Sequence, residues 1–377
     1  MFLKKQSIIC VVGTRPEAIK MAPVVLALRK ENDFDVKILA TGQHAAMLDQ
    51  ALNHFDLSAD LNLNIMKDSQ SLDYITSAVI TGAGEYFDKV NPNAILVHGD
   101  TTTTFASSLA AFYRQIPVGH VEAGLRSGNM ELPFPEEMNR VLTDKIAKWG
   151  FAPTELAKQN LLKDGMPFEN IVVTGNTVID ALFYTIRNTK GPESADLLKL
   201  PKNAPFVLVT AHRRESWGRP LEGICEALTV LLEKYPELWM LIPMHKNPTV
   251  RSVIKKHLGN KEQVVLCDPL DYPDFVWAMN SSLFILSDSG GVQEEASAIK
   301  KPVLILRDVT ERPEAIEHGS GILVGIKKNK ILLHATDLLN NKERIAEIEH
   351  KCDNHPFGDG TASIKIAKSL RKYFSND

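Results

Sequence analysis

Three carboxylates and a histidine stand where short apolar runs of this chain end. Val97-His98-Gly99-Asp100 is followed by four threonines, His120-Val121-Glu122-Ala123-Gly124 closes a second run, and Pro133-Phe134-Pro135-Glu136-Glu137 leads into a helical pattern. Carboxylates grouped in this way suit proton abstraction and delivery. Each also has a plainer role open to it. Asp100 fits the N-cap of the next helix. Glu122, as a buried charge, then requires a cation such as Arg126. Glu136 in a first helical turn complements the helix dipole. His212 closes a later run beside Arg213 and Arg214, and His245 closes the one after it. An imidazole at a strand end next to two arginines reads as functional.

Another set of segments suits phosphate. In Gly13-Thr14-Arg15-Pro16-Glu17 the T-x-x-E pattern predicts a capping box with Pro16 in the first turn, which gives Thr14 and Glu17 structural work. Arg15 is not needed by the cap, and at a helix N-terminus it becomes a candidate phosphate ligand, with Lys20 further along the same helix. Ser287-Asp288-Ser289-Gly290-Gly291 leads into Gln293-Glu294-Glu295. A strand, a small turn and a helix start form a diphosphate cradle, because glycines let backbone N–H groups approach the ligand. Gly291 and Glu295 share one helix face, where the carboxylate can accept from two ribose hydroxyls. Arg15-Pro16-Glu17-Ala18-Ile19 recurs as Arg312-Pro313-Glu314-Ala315-Ile316, two similar helix starts that each offer an arginine.

The elements that must position these groups are strands alternating with helices. Strand-like runs are Ile8–Val12, Val36–Ala40, Ala94–His98, Val118–Val121 and Ile171–Val173. After a polar stretch from Lys190 to Pro205 the rhythm restarts with Phe206–Thr210, Trp239–Pro243, Val264–Leu266, Leu283–Ser287 and Val303–Leu306. Such a pattern predicts an α/β protein with two doubly wound, Rossmann-like domains facing a cleft, over 1–172 and 173–364. Ligands of such sheets bind beyond the strands' carboxyl ends. No GxGxxG, GxxxxGK[ST] or HExxH occurs, which disfavours a nicotinamide fingerprint, a Walker loop and a zincin site.

Composition bounds the rest. The 377 residues are 44% hydrophobic and 24% charged with a formal net charge of −3, which speaks against a nucleic-acid partner. Cys10, Cys225, Cys267 and Cys352 show neither CxxC nor zinc-ligand spacing and read as free thiols of a reducing compartment. The N-terminal run reads as a first strand rather than a signal peptide. No apolar stretch approaches a membrane span. The expectation is a cytoplasmic protein.

Taken together the motifs resemble a known family. GTRPEAIKMAP, HGDTTTT, VEAGLR, PEE, AHRRES, SDSGGVQEEA and TERPEA occur in the order found in the non-hydrolysing UDP-N-acetylglucosamine 2-epimerases. The resemblance covers nearly the whole chain. It implies a glycosyltransferase-B-like fold whose C-terminal helix, 365–377, packs back on the first domain. It implies interconversion of UDP-N-acetylglucosamine and UDP-N-acetylmannosamine without a cofactor, in a homodimer that supplies surface polysaccharide synthesis. Asp100, Glu122 and Glu136 would carry the acid–base work, and His212 would support the leaving UDP. Arg15, Lys20, Ser289, Gly290, Gly291, Glu295 and Arg312 match nucleotide-sugar contacts, with Phe275 beside the uracil. No metal is implied. The glutamate of TRPE and the RPE of TERPE favour this substrate over that of related subfamilies.

Departures are local. Leu270 stands where many relatives have a glutamine before the uracil phenylalanine. Gln43, Glu136, Arg213 and His245 match a second, allosteric site for UDP-N-acetylglucosamine. Ala45, Ala46 and Ser69 lack the polar and arginine side chains usual there, so a weakened second site is expected.

Overall fold

The computed structural model describes residues 5–42, 45–67, 70–211, 218–310 and 312–375. The chain divides into two compact units, Met1–Tyr184 with Phe357–Asp377, and Thr185–Pro356. The division thus falls at 184/185 and 356/357, where the sequence placed it at 172/173 and 364/365. Its first crossing lies within a helix rather than after the last strand.

In the first unit the elements run β1 (Gln6–Val12), α1 (Arg15–Lys30), β2 (Phe34–Ala40), α2 (Ala45–Asn53), β3 (Leu61–Asn62), α3 (Leu72–Val90) and β4 (Ala94–His98). Then follow α4 (Thr102–Phe112), β5 (Val118–Val121), α5 (Glu136–Ile146), β6 (Trp149–Ala152), α6 (Glu155–Lys163), β7 (Ile171–Val173) and α7 (Thr177–Asn188). The strands form one parallel sheet in the order β3-β2-β1-β4-β5-β6-β7. The order reverses between β1 and β4, the kind of switch point beyond which ligands of open α/β sheets bind. Val97 pairs with His120 and His98 with Val121, so the turns carrying Asp100 and Glu122 leave the sheet side by side.

The second unit contains β8 (Phe206–Thr210), α8 (Arg219–Lys234), β9 (Trp239–Pro243), α9 (Pro248–Leu258), β10 (Val264–Cys267), α10 (Tyr272–Ser281) and β11 (Ile285–Ser287). It continues with α11 (Gly290–Ala298), β12 (Val303–Ile305), α12 (Pro313–Glu317), β13 (Gly321–Leu323), α13 (Lys328–Asn340) and α14 (Lys342–Lys351). Its sheet is again parallel, in the order β10-β9-β8-β11-β12-β13, with the reversal between β8 and β11. α15 (Ala362–Ser375) returns to the first unit and packs on α1, with Phe374 edge-on to Phe34 and Tyr373 edge-on to Trp149.

Side chains of both sheet faces are buried, which is why most strands read as unbroken apolar runs. Ile9, Val11, Ile95 and Val97 pack with Phe87 of α3 and Ala106 and Ala110 of α4. In the second unit Val207, Val209 and Leu286 pack with Leu228 and Leu231 of α8 and Leu338 of α13. The three strands the sequence does not announce are β3, β6 and β13, which have two, four and three residues. The glycines and alanine in Trp149-Gly150-Phe151-Ala152 and Gly321-Ile322-Leu323 dilute the β signal.

Candidate active site

The turn after β1 is built on Thr14 and Glu17. Thr14 caps α1, and Glu17 closes the capping box, accepting from the Gly13 and Thr14 backbone N–H groups at 3.0 and 2.7 Å. The other Glu17 oxygen accepts from the hydroxyls of Thr101 (2.6 Å) and Thr104 (3.0 Å) at the start of α4. Burial pushes the Glu17 carboxyl above its usual value of 4.5 despite these hydrogen bonds. One carboxylate thereby clamps two helix starts together. A Cβ at Gly13 would stand 2.3 Å from Thr103 Oγ1, so this approach of α4 requires glycine. Arg15 is half-buried at the first turn of α1.

Asp100 does not cap α4; Thr101 does, accepting from the Thr104 N–H at 3.1 Å. The Asp100 carboxylate is instead gripped by Arg140 of α5, while Asn139 donates to the Asp100 carbonyl at 2.9 Å. Arg140 also lies 3.2 Å from Glu137. Buried Glu137 accepts from the Ser127 and Gly128 N–H groups at 2.9 and 3.2 Å. Glu136, its neighbour, opens α5 and is partly exposed. The sequence pointed at Glu136 alone, and the framework residues Glu137, Asn139 and Arg140 were missed.

Glu122 sits beyond β5 in the left-handed backbone region, with φ +67. Its cation is Lys20 of α1, whose Nζ lies 2.6 Å from Oε1, and not Arg126. Arg126 turns away to Asp144 (2.7 Å) and Asp164 (2.8 Å). Asn176, just before α7, donates to the same Oε1 at 2.7 Å. His98 Nε2 lies 3.7 Å from Oε2. Neither His98 ring nitrogen hydrogen-bonds a described residue, and burial drives the imidazole down to about 3, keeping it neutral.

Behind these turns His120 is fully buried, with Nδ1 2.6 Å from Asp144 Oδ1 and Nε2 2.7 Å from the Gly99 carbonyl. Asp144 also accepts from the Gly124 N–H at 3.2 Å. His120 and Asp144 therefore tie the turn after β4 to the turn after β5. Burial opposes ionisation of Asp144, but His120 and Arg126 outweigh it and hold the carboxyl below 3.8.

In the second unit Ser289 precedes α11 without a side-chain cap, so the first N–H groups of that helix are left to other partners. Ser287 supports the turn: its hydroxyl lies 2.7 Å from Thr210 Oγ1 and accepts from the Ser289 N–H at 3.0 Å. A Cβ at Gly291 would meet no atom within 4 Å, so packing alone does not demand glycine there. Glu295, one turn on, is buried, and its Oε1 accepts from the Tyr272 hydroxyl at 2.9 Å. Burial first, and the Glu295 charge second, keep that phenol protonated well above 10. Arg312 is paired with Glu294, and Thr310 donates to Gln293 at 2.7 Å, which fixes both residues to α11. Phe275 lies half-buried on α10 and Leu270 is buried just before it. His245 is exposed after β9, its Nδ1 accepting from the Asn247 N–H at 3.1 Å. His212, Arg213, Gln43 and Ser69 lie outside the described residues.

Each unit thus carries polar chemistry at the carboxyl edge of its sheet: in the first a set of braced carboxylates, in the second a helix start with a buried glutamate. That is the construction of a doubly wound α/β enzyme with a nucleotide-type second half. Residues 26–371 match the family model described as UDP-N-acetylglucosamine 2-epimerase. The UDP-N-acetylglucosamine 2-epimerase of Escherichia coli K12 is 46% identical over 373 residues, covering 97% of this chain and 98% of that one. The crystal structure of the UDP-GlcNAc 2-epimerase from Neisseria meningitidis bound to UDP-GlcNAc is 46% identical, with a TM-score of 0.88 over 97% of this chain and 100% of that one. A glycosyltransferase from Rickettsia africae, 17% identical with a TM-score of 0.61 over 99% of each chain, shares the fold alone. This chain belongs to the UDP-N-acetylglucosamine 2-epimerase family. Among the described residues no helix is long and apolar enough to cross a membrane.

Proposed function

We propose that the protein interconverts UDP-N-acetylglucosamine and UDP-N-acetylmannosamine by eliminating UDP and adding it back. C2 of the sugar has no adjacent carbonyl, so simple proton removal and return is too costly. In the elimination a base takes the C2 proton and the C1–oxygen bond breaks. UDP departs with the bonding pair, and 2-acetamidoglucal with a C1–C2 double bond remains. In the return step a UDP oxygen bonds C1 and an acid delivers a proton to the opposite face of C2. Atoms and electrons balance without any redox step. The observation that carries this reading is Glu122, a buried carboxylate at a sheet's carboxyl edge, held by Lys20 and Asn176 beside the turn of Asp100. Asp100, Glu122 and Glu136 carry the proton transfers, and His212 supports the leaving UDP. Arg15, Lys20, Ser289, Gly290, Gly291, Glu295 and Arg312 hold the nucleotide sugar, with Phe275 at the uracil.

A UDP-sugar-dependent glycosyltransferase would use the same Glu295 and glycine turn, but not a set of carboxylates braced by Lys20 and Arg140. A hydrolysing epimerase would release free N-acetylmannosamine. Incubating UDP-N-acetylglucosamine with the protein in D2O, followed by NMR at C2, separates the three. Deuterium at C2 with both UDP-linked epimers is the expected result; no exchange and no turnover sinks the reading. The wider setting is a cytoplasmic homodimer supplying surface polysaccharide synthesis. Its allosteric site of Gln43, Arg213 and His245 is weakened by Ala45, Ala46 and Ser69. Initial rates with UDP-N-acetylmannosamine alone test that point, since strict dependence on added UDP-N-acetylglucosamine would refute the weakening.

A further inference from the structure

Glu122 owes its placement to a residue that no strand-end motif contains. Asn176 stands at the turn between β7 and α7 and has a divided side chain. Its Oδ1 accepts from the Val178 N–H at 3.1 Å, while its Nδ2 donates to Glu122 Oε1 at 2.7 Å. The two contacts fix the amide's orientation, since a backbone N–H only donates and a carboxylate only accepts. Its backbone is held as firmly. The Asn176 N–H donates to the Phe357 carbonyl at 2.8 Å, where the chain re-enters the first unit. Gly175 has φ +87, and a Cβ on it would stand 2.8 Å from the Gly358 Cα, so the two segments touch backbone to backbone. Lys365 of α15 donates to the neighbouring Thr174 carbonyl at 3.2 Å.

We infer that Asn176 is a positioning residue for Glu122, and that the returning segment at Phe357–Gly358 is part of the active-site framework because it seats Asn176. The inference rests on the proposed role of Glu122 in proton transfer. The amide donor turns one carboxylate oxygen toward Lys20 and Asn176 and fixes the direction of the other. Among the described residues, Lys20 from α1 and His98 from β4 are titratable groups that face Glu122. A change at Asn176 therefore acts on a charge balance to which those two contribute.

The divided side chain allows the roles to be separated. Asp and Ser retain an oxygen for the Val178 N–H, as good capping residues do, but neither can donate an amide hydrogen to Glu122. Full-length Asn176→Ser is expected to melt close to the parent, Asn176→Asp to remain folded but melt lower because its carboxylate faces that of Glu122, and both to bind UDP equally well. Their kcat for epimerisation should fall about ten- to a hundredfold, the range for losing a hydrogen bond to a charged group, with KM changed far less. In Asn176→Asp the acidic limb of the kcat–pH profile should also move to higher pH, because a second carboxylate now faces Glu122. Parent-like kcat and pH profile in both variants would overturn the inference. So would unfolding of both, since the side chain would then act as a determinant of the fold. Should the parent itself show no C2 exchange, the functional reading fails separately. The contact is then judged by the 15N-labelled Asn176 amide, whose signal must shift with pH in the parent and not in Glu122→Gln; a pH-invariant signal would overturn it.

Discussion

Lys20 Nζ and Glu122 Oε1 lie 2.6 Å apart across 102 positions of sequence, and this pair joins the first helix of the first unit to the turn after its fifth strand. The side chains are only 17% and 7% exposed, so removing one partner leaves the other charge poorly solvated. Lys20→Met should lower unfolding stability by about 3 kcal/mol. Adding Glu122→Gln should restore most of that stability without restoring activity. Chemical denaturation of the two variants checks both expectations.

Asp144 is held below its usual carboxyl range, so its contribution to stability is present above pH 3.8 and is lost as pH falls through the lower, folded-state value. Asp144→Asn leaves buried His120 without its carboxylate and Arg126 with Asp164 alone. Its cost should be about 3 kcal/mol at neutral pH and shrink in acid below pH 3.8. Melting curves of parent and variant across that range decide it.

His98 behaves oppositely to an ordinary surface histidine. The folded chain keeps it neutral down to about 3, whereas the unfolded chain binds a proton at 6.5. Between those values the unfolded state holds more protons, so stability rises with pH by up to about 1.4 kcal/mol per unit and levels off above 6.5. In His98→Gln this contribution should vanish. The parent-minus-variant difference should therefore slope upward from acid to pH 6.5 and then run flat.

Tyr272 donates to Glu295 at 2.9 Å. On the proposal that Glu295 holds the ribose, Tyr272→Phe should raise KM for UDP-N-acetylglucosamine about tenfold, the equivalent of one hydrogen bond to a charged group, and leave kcat within about twofold. Steady-state kinetics at several pH values distinguish this from a change in chemistry, which would move kcat.

Much of this was legible in local pattern. Thr14 and Glu17 announced their capping box at a spacing of three, and the pairing of β4 with β5 brought Asp100 and Glu122 to adjacent turns as their positions suggested. What local pattern does not carry is partnership across the sheet. Arg126 was the nearest cation to Glu122 in sequence, yet it is drawn to Asp144 and Asp164, and the charge comes from Lys20 on another helix. Tyr272 and Glu295, or Asn176 and Glu122, are likewise joined only once the strands are ordered, so no spacing rule finds them. β3, β6 and β13 carry little strand signal because runs of two to four residues, the last two diluted by glycine or alanine, give no period to read.

The return of Phe357–Asp377 to the first unit sets an order of events during synthesis. A ribosome releases the whole of the second unit before the residues that complete the first. Domains that emerge early ordinarily fold early. Here Asp180 waits for the Ala362 and Ser363 N–H groups, and Asn176 for the Phe357 carbonyl. The nascent chain must therefore carry an unfinished first unit until residues 357–377 emerge, and truncated chains ending at Pro356, once released from the ribosome, should be cut by protease within 5–184 while the second unit resists.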